Sequence, residues 1–478
     1  MFIGRKNELK FLNDKYNSSK AELIVLYGRR RVGKTETLSE FFKDKPGVFF
    51  SCRQCANTVQ LAAFSEALFE LDIPAKKYIS AFKDWNNAFA SLDEIRNDRK
   101  TVIIIDEFPY MCKQDGSIPS VLQNLWDHKL RHANIMLILC GSSMSFIEDE
   151  LLASQNPLYG RATGIYKMAP LPFDDVQEFC HAYSTEDKIL LYSILGGIPH
   201  YLQQFNYSVS LEENIKNEIL SKGSVLYNEV EFLLHQELRE TAIYNTIIEA
   251  IALGNTEFNQ IYMKTQLDKT KLSVYLRNLI KLGIVEREFS AMSKQKEHAN
   301  KNNGEYHLTD SFFRFWYAFA YNNFSELEDG AIDRIWNKYI SGSLHNFASK
   351  AFENICIDYL KKLNRKELLP FDASSIGRWW GKITKVDDQG KKITTSEEID
   401  IVAADDKKEQ YIIGECKFTN QPFDLGQFNA LKNKHNFGDN VYYYLFSLNG
   451  FTDTLRSKAS QHNNVTLVTA EDIIGNLI

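Results

Sequence analysis

Residues 28–35 read GRRRVGKT. The string fits G-x-x-x-x-G-K-[ST], a pattern that dictates its surroundings as well as itself. It needs a buried strand before it and a helix after it, with main-chain amides turned toward an anion at the helix N-terminus. Residues 23–27 (LIVLY) are such a strand-like run, and a helical stretch follows Thr35. Gly28 and Gly33 allow the tight bend. The backbone of Arg29, Arg30, Arg31 and Val32 between them is expected to meet phosphate oxygens. Lys34 would reach the outer phosphates, and Thr35 would offer its hydroxyl to Mg2+. The three arginine side chains are open to two readings, solvated or in contact with DNA.

A second string supports the first. Residues 102–107 (VIIIDE) are an apolar run ending in two acids. Asp106 is placed to hold Mg2+ through water, and Glu107 to polarise an attacking water. The runs 23–27, 47–51 (GVFFS), 102–106 and 135–140 (IMLILC), with GIYKM as a fifth, alternate with helical segments. That alternation predicts a parallel sheet with helices on both faces and chemistry at the carboxyl ends of its strands. Residues 140–143 (CGSS) end one of these strands, where Ser142 or Ser143 can sense a terminal phosphate. Arg161, in NPLYGRAT, reads equally as a stabiliser of transferred charge or as half of a surface ion pair.

Length and charge set the limits. A chain of 478 residues suggests roughly three domains. The net charge of −6 argues against a uniformly basic nucleic-acid coat and leaves local basic grooves open. The first ten residues, MFIGRKNELK, lack the apolar core of a signal peptide, and no apolar run is long enough to span a membrane. The seven cysteines are scattered, and only Cys52 and Cys55 form a CxxC pair, read as structural. The expected setting is the cytoplasm, with thiols reduced.

Two flanking strings carry a resemblance. FIGRKNEL lies at 2–9 and GGIPHYL at 196–202. Together with GRRRVGKT and the strand ending in Asp-Glu, they make about residues 1–320 similar to the archaeal-type ATPases, a P-loop branch of the AAA-like and signal-transduction NTPases. The resemblance implies ATP with Mg2+, and it puts Gly4, Arg5, Gly197 and Pro199 near the adenine.

Residues 170–235 read as amphipathic helices forming a lid. Helical segments at about 241–253, 256–264 and 268–282, then GIVERE and a returning strand at 306–309, predict a winged helix-turn-helix. Its third helix carries Leu272, Leu276, Leu279 and Ile280 on one face, with Lys269, Lys271, Arg277 and Lys281 as cations. The polar stretch near 290–304 would be the wing. Such a module binds DNA in some proteins and only packs on protein in others. Residues 308–321 (LTDSFFRFWYAFAY) read as a buried aromatic helix.

The character changes near residue 345. A helix at 347–362 precedes strands at 398–403 and 411–416. Asp400 lies on the first strand, while Glu415 and Lys417 alternate on the second and share a face. They interrupt an apolar run, YIIGECKF, where buried charge needs a partner or a metal. Two carboxylates and a lysine on one sheet face can hold Mg2+ and activate water. This resembles the D…E-x-K core of restriction-endonuclease-like nucleases, which implies Glu353 as a helical acid. Glu398 could assist or be solvated, IGRWWG at 376–381 looks like a segment attached to such ATPases, and Lys432 and Lys434 could meet a phosphate backbone.

The expected architecture is therefore α/β, a P-loop sheet followed by a helical lid, a winged helix and a nuclease-like α/β domain. The parts are residues 1–168, 169–235, 236–325 and 326–478. The expected function is ATP hydrolysis coupled to a Mg2+-dependent site acting on nucleic acid, DNA before RNA, with a homo-oligomer left open and no membrane association. Glu107, Arg161, Glu353, Asp400, Glu415 and Lys417 are its candidate catalytic residues, and Thr35, Asp106, Asp400 and Glu415 its candidate metal ligands. The rival is a nucleotide-controlled switch whose C-terminal domain binds without cutting.

Overall fold

Strand β1 (Glu22–Tyr27) is buried at every residue. A strand covered on both faces needs apolar side chains pointing both ways, and ELIVLY supplies them. Leu23, Val25 and Tyr27 enter one core, and Ile24 and Leu26 the other. The structure, a computed structural model, describes residues 2–144, 146–293, 298, 300, 303–386, 392–435 and 437–475. They form two compact units, Met1–Asp175 with Ile198–His200, and Val176–Gly197 with Tyr201–Ile478.

In the first unit, β1 is joined by β2 (Gly47–Ser51), β3 (Thr101–Asp106), β4 (Ile135–Gly141) and β5 (Gly164–Lys167). The order is β2-β3-β4-β1-β5 and every pairing is parallel. All five runs read from the sequence are present. The two-residue period of β3 divides Ile103 and Ile105 from Val102 and Ile104, so each face of the sheet has its own core. Truncating the fully buried Ile104 to Ala should cost about 3 kcal/mol. This sheet places the loop after β1 beside the carboxyl ends of β3 and β4, because β1 neighbours β4 and β4 neighbours β3.

Within the second unit the helices Thr241–Ala252, Phe258–Thr265 and Lys269–Lys281 follow one another. An antiparallel hairpin follows, β6 (Val285–Glu288) paired with β7 (Glu305–Leu308). The third helix begins where the Asp268 carboxylate accepts from the Thr270 and Lys271 amides. Leu272, Leu276 and Leu279 are its buried face. Much of the stretch expected as a wing lies outside the described residues. The aromatic segment is buried as Phe312, Phe313, Phe315, Trp316 and Tyr317.

Helix Leu344–Arg365 then leads into β8 (Ser375–Val386), β9 (Lys392–Ala404), β10 (Tyr411–Lys417), β11 (Val441–Ser447) and β12 (Val465–Thr469). Their order is β12-β11-β10-β9-β8, antiparallel across β8-β9-β10 and parallel across β10-β11-β12. The sequence reading located β9 and β10 but not β8, β11 or β12. It read the stretch as a helical lid at 169–235, a winged helix at 236–325 and a nuclease-like domain at 326–478. Ala291 N–H bonds the Arg378 carbonyl (2.7 Å), joining the stretch after β6 to β8.

Candidate active sites

The first site is the turn between β1 and helix Lys34–Phe42. Gly33 caps that helix with φ 90°, a conformation that side chains resist. At Gly28 a Cβ would lie 2.6 Å from the Met168 carbonyl oxygen, so only glycine fits. Lys34 is 6% exposed, and its Nζ donates to the Gly28 and Arg29 carbonyls at 2.9 and 3.0 Å. Burial pulls its ammonium below the usual lysine range, opposed by the charges of Glu107 and Asp106. The Thr35 hydroxyl donates to Asp106 Oδ2 at 2.7 Å. A hydroxyl and a carboxylate meeting beside a buried ammonium are hard oxygen donors of the kind Mg2+ takes, and the donor set fits the ion.

Glu107 follows with φ 52°. Its carboxylate accepts from Ser142 Oγ at 2.7 and 3.0 Å through its two oxygens. The sequence offered Ser142 or Ser143 as a phosphate sensor; in the structure the Ser142 hydroxyl bonds Glu107. That bond depends on β4 lying next to β3, which CGSS alone does not reveal. Among the described residues six non-glycines have positive φ, and three of them, Arg5, Arg31 and Glu107, are in this unit. Strained backbone of this kind collects at functional sites.

Arg5 is 4% exposed, and its guanidinium bonds the Val32 carbonyl (2.5 Å), the Ala169 carbonyl (2.7 Å) and Glu8 (2.9 Å). The resemblance put it near adenine; in the structure its guanidinium ties the phosphate-loop carbonyl of Val32 to Ala169 and Glu8. Pro199 approaches the loop, with its Cγ 3.5 Å from where a Gly33 Cβ would stand. Gly197 belongs to the other unit. Arg30 reaches the Tyr110 hydroxyl at 3.5 Å, and Val32 is fully buried. Of the two readings of Arg161, the ion pair is formed, 3.1 Å to Asp127. Cys52 is buried and Cys55 donates to Gln60, as a structural pair would.

The second site lies on β9 and β10. Ile401 is opposite Gly414, so the next antiparallel step brings Asp400 to Glu415. Asp400 accepts from the Cys416 amide at 2.8 Å. Burial, then the charges of Glu415 and Glu353, push its carboxyl up to about 7, with the Cys416 amide and Lys417 pulling the other way. Glu415, 6% exposed, is gripped by Lys417 (2.6 Å) and Lys434 (3.2 Å). Burial would lower Lys417, but Glu415 and Asp400 hold it above the ordinary lysine range. Glu353 is bonded to Arg378 Nε at 2.7 Å. Glu398 is exposed, and Lys432 lies over the Phe428 ring. Lys434, read from the sequence as a phosphate-backbone contact, pairs with Glu415 here.

No group of three or more His, Cys, Asp or Glu side chains among the described residues is arranged to hold an ion. The donor set that remains, Asp400 and Glu415, offers two hard carboxylates that repel each other. Such a pair suits Mg2+, which keeps several waters and takes few protein ligands.

Fold and first site together define a P-loop ATPase domain. Residues 2–205 match a family described as an ATPase domain predominantly from Archaea, and residues 316–434 match a family of archaeal and bacterial proteins of unknown function. An uncharacterized protein of Methanocaldococcus jannaschii is 31% identical over 418 residues, 87% of this chain and 88% of that relative. An uncharacterized ATP-binding protein of the same organism is 58% identical over 45 residues, 9% of this chain and 76% of its own length. The Walker-type ATPase of Pyrococcus abyssi shares the fold, with a TM-score of 0.51 at 18% identity over 66% of this chain and 96% of that one. The chain belongs to this predominantly archaeal family of ATPases. No helix among the described residues is long and apolar enough to cross a membrane.

Proposed function

We propose that the chain hydrolyses ATP with Mg2+ in its first unit and acts on nucleic acid, DNA before RNA, through the Asp400–Glu415–Lys417 site of its second. The Thr35–Asp106 contact beside buried Lys34 carries the first half. Bound Mg2+ would neutralise developing phosphoryl charge there, held by Thr35 and, through water, Asp106. Lys34 and the loop amides bind the phosphates. Glu107, kept in one orientation by Ser142, aligns the attacking water and accepts its proton.

For the second half, the supporting observation is the buried pairing of Glu415 with Lys417 next to Asp400. A divalent ion on such carboxylates lowers the pKa of its water and polarises a phosphodiester. Lys417 is placed to stabilise charge on the scissile group. The three helices and hairpin at 241–308 have the order of a winged helix-turn-helix, with Lys269, Lys271 and Arg277 exposed on the third helix. Those cations are a phosphate-contacting face, and DNA is the fitting partner.

The switch reading keeps one observation of its own: Glu353, Glu415 and their cations already neutralise one another. Plasmid nicking with Mg2+ or Mn2+, with and without ATP, separates the two. Nicking that disappears in Asp400→Ala supports the nuclease. Nicking that persists there removes the site assignment, and none in any nucleotide state leaves the switch.

A further inference from the structure

The sequence marked IGRWWG without giving its arginine a task. Arg378 is 4% exposed and lies between two elements far apart in the chain. Its Nε donates to Glu353 Oε2 at 2.7 Å, on helix Leu344–Arg365. Its Nη1 donates to both oxygens of Glu288, at 2.9 and 3.1 Å, on hairpin strand β6. Its Nη2 donates to Asn354 Oδ1 at 2.7 Å and to the Lys350 carbonyl at 3.3 Å. Every N–H of the guanidinium fork is thereby matched to an acceptor. The flanking main chain ties β8 to the stretch that follows β6, with Ala291 N–H on the Arg378 carbonyl (2.7 Å) and Trp380 N–H on Ser290 Oγ (3.3 Å).

We propose that Arg378 is a positioning residue that couples the β6–β7 hairpin to the acid site, so that the hairpin's hold on Arg378 sets the charge Glu353 presents to Asp400. The coupling rests on the reading of Asp400 and Glu415 as a cation site. A buried ion pair is a weak source of stability and could be replaced by apolar packing. Such a replacement would not connect a hairpin glutamate to a carboxylate on helix Leu344–Arg365, which packs against β9 and β10, the strands of Asp400 and Glu415. A polar cavity of about 430 Å³, lined among others by Glu286, Glu288, Glu305, His307 and Lys350, opens beside Arg378. His307 Nε2 is 3.1 Å from Glu305 and 3.5 Å from Glu288. The hairpin carboxylates thus face a polar space on one side and the arginine on the other. Displacing the hairpin by nucleic acid would remove Glu288 from Arg378 and leave the guanidinium to Glu353 alone.

Mn2+ alone, titrated calorimetrically into the full chain, tests the charge. In Glu288→Gln the arginine is left with surplus positive charge beside Glu353, and Mn2+ affinity should fall by about threefold to tenfold. The double variant Glu288→Gln with Arg378→Gln removes both charges and should return to within about twofold of the unaltered chain. Hydrogen exchange tests the mechanical link. Arg378→Lys keeps the charge but cannot serve Glu353, Glu288 and Asn354 together, so exchange of the β6–β7 amides should rise about tenfold. An unchanged Mn2+ affinity in Glu288→Gln overturns the charge coupling, and unchanged hairpin exchange in Arg378→Lys overturns the link. If the unaltered chain binds no Mn2+, the cation reading falls and the charge coupling falls with it. Raised hairpin exchange in Arg378→Lys would then stand for the link alone.

Discussion

The two sites of this chain solve the problem of buried charge in opposite ways. In the first, Lys34 is held by carbonyls of its own loop, Gly28 and Arg29, while the charges of Glu107 and Asp106 act on it from the end of β3. In the second, Glu415 and Glu353 already have cations, drawn from β10, from the residue after helix Leu425–Asn433 and from β8.

The largest effect expected is at the first site. Lys34→Ala should lower phosphate release by about a thousandfold, because the buried ammonium at the head of the helix is lost from the phosphates. Turnover surviving within tenfold of the unaltered chain would break the contrast. Glu107→Gln should keep nucleotide binding, measured by equilibrium titration, and lower hydrolysis by about a hundredfold. Ser142→Ala should lower kcat by about tenfold with KM little changed, since it only orients Glu107; a change in KM instead would restore a phosphate-sensing role.

The acid site should show itself in stability. Burial and the charges of Glu415 and Glu353 push the Asp400 carboxyl up to about 7 in the folded chain, against the usual carboxylate range when unfolded. The unfolded chain therefore loses this proton first, and folded stability declines as pH rises from about 4 to about 7. Asp400→Asn has no such proton to lose. It should be more stable than the unaltered chain by about 2 kcal/mol at pH 8, with the gain gone by pH 4, in paired denaturant titrations. A gain independent of pH would mean that Asp400 is not electrostatically strained. The smallest effect belongs to Arg161→Ala, about 0.5 kcal/mol in thermal unfolding, as a partly exposed pair gives. A loss of ATP turnover there would move Arg161 back to the transition state.

GRRRVGKT and VIIIDE were legible because their chemistry is local. A glycine bend, an ammonium and a strand-end carboxylate are each specified within a few residues, and the alternating runs around them decided a covered parallel sheet. The pairing of Asp400 with Glu415 was half legible, since strand alternation puts Glu415 and Lys417 on one face but says nothing about which strand lies beside them. Arg5 shows where local reading ends: its left-handed backbone and its bonds to the Val32 and Ala169 carbonyls are visible only in the fold. The roles of Ser142, Lys434 and Arg378 depended entirely on tertiary neighbours. The amino-acid order by itself set the phosphate loop, its strand and its helix, because those are short-range consequences of backbone geometry. Which carboxylates are neutralised, and by which cations, was decided by the packing of the second unit, because buried charges take partners from whatever element the fold brings within hydrogen-bond reach.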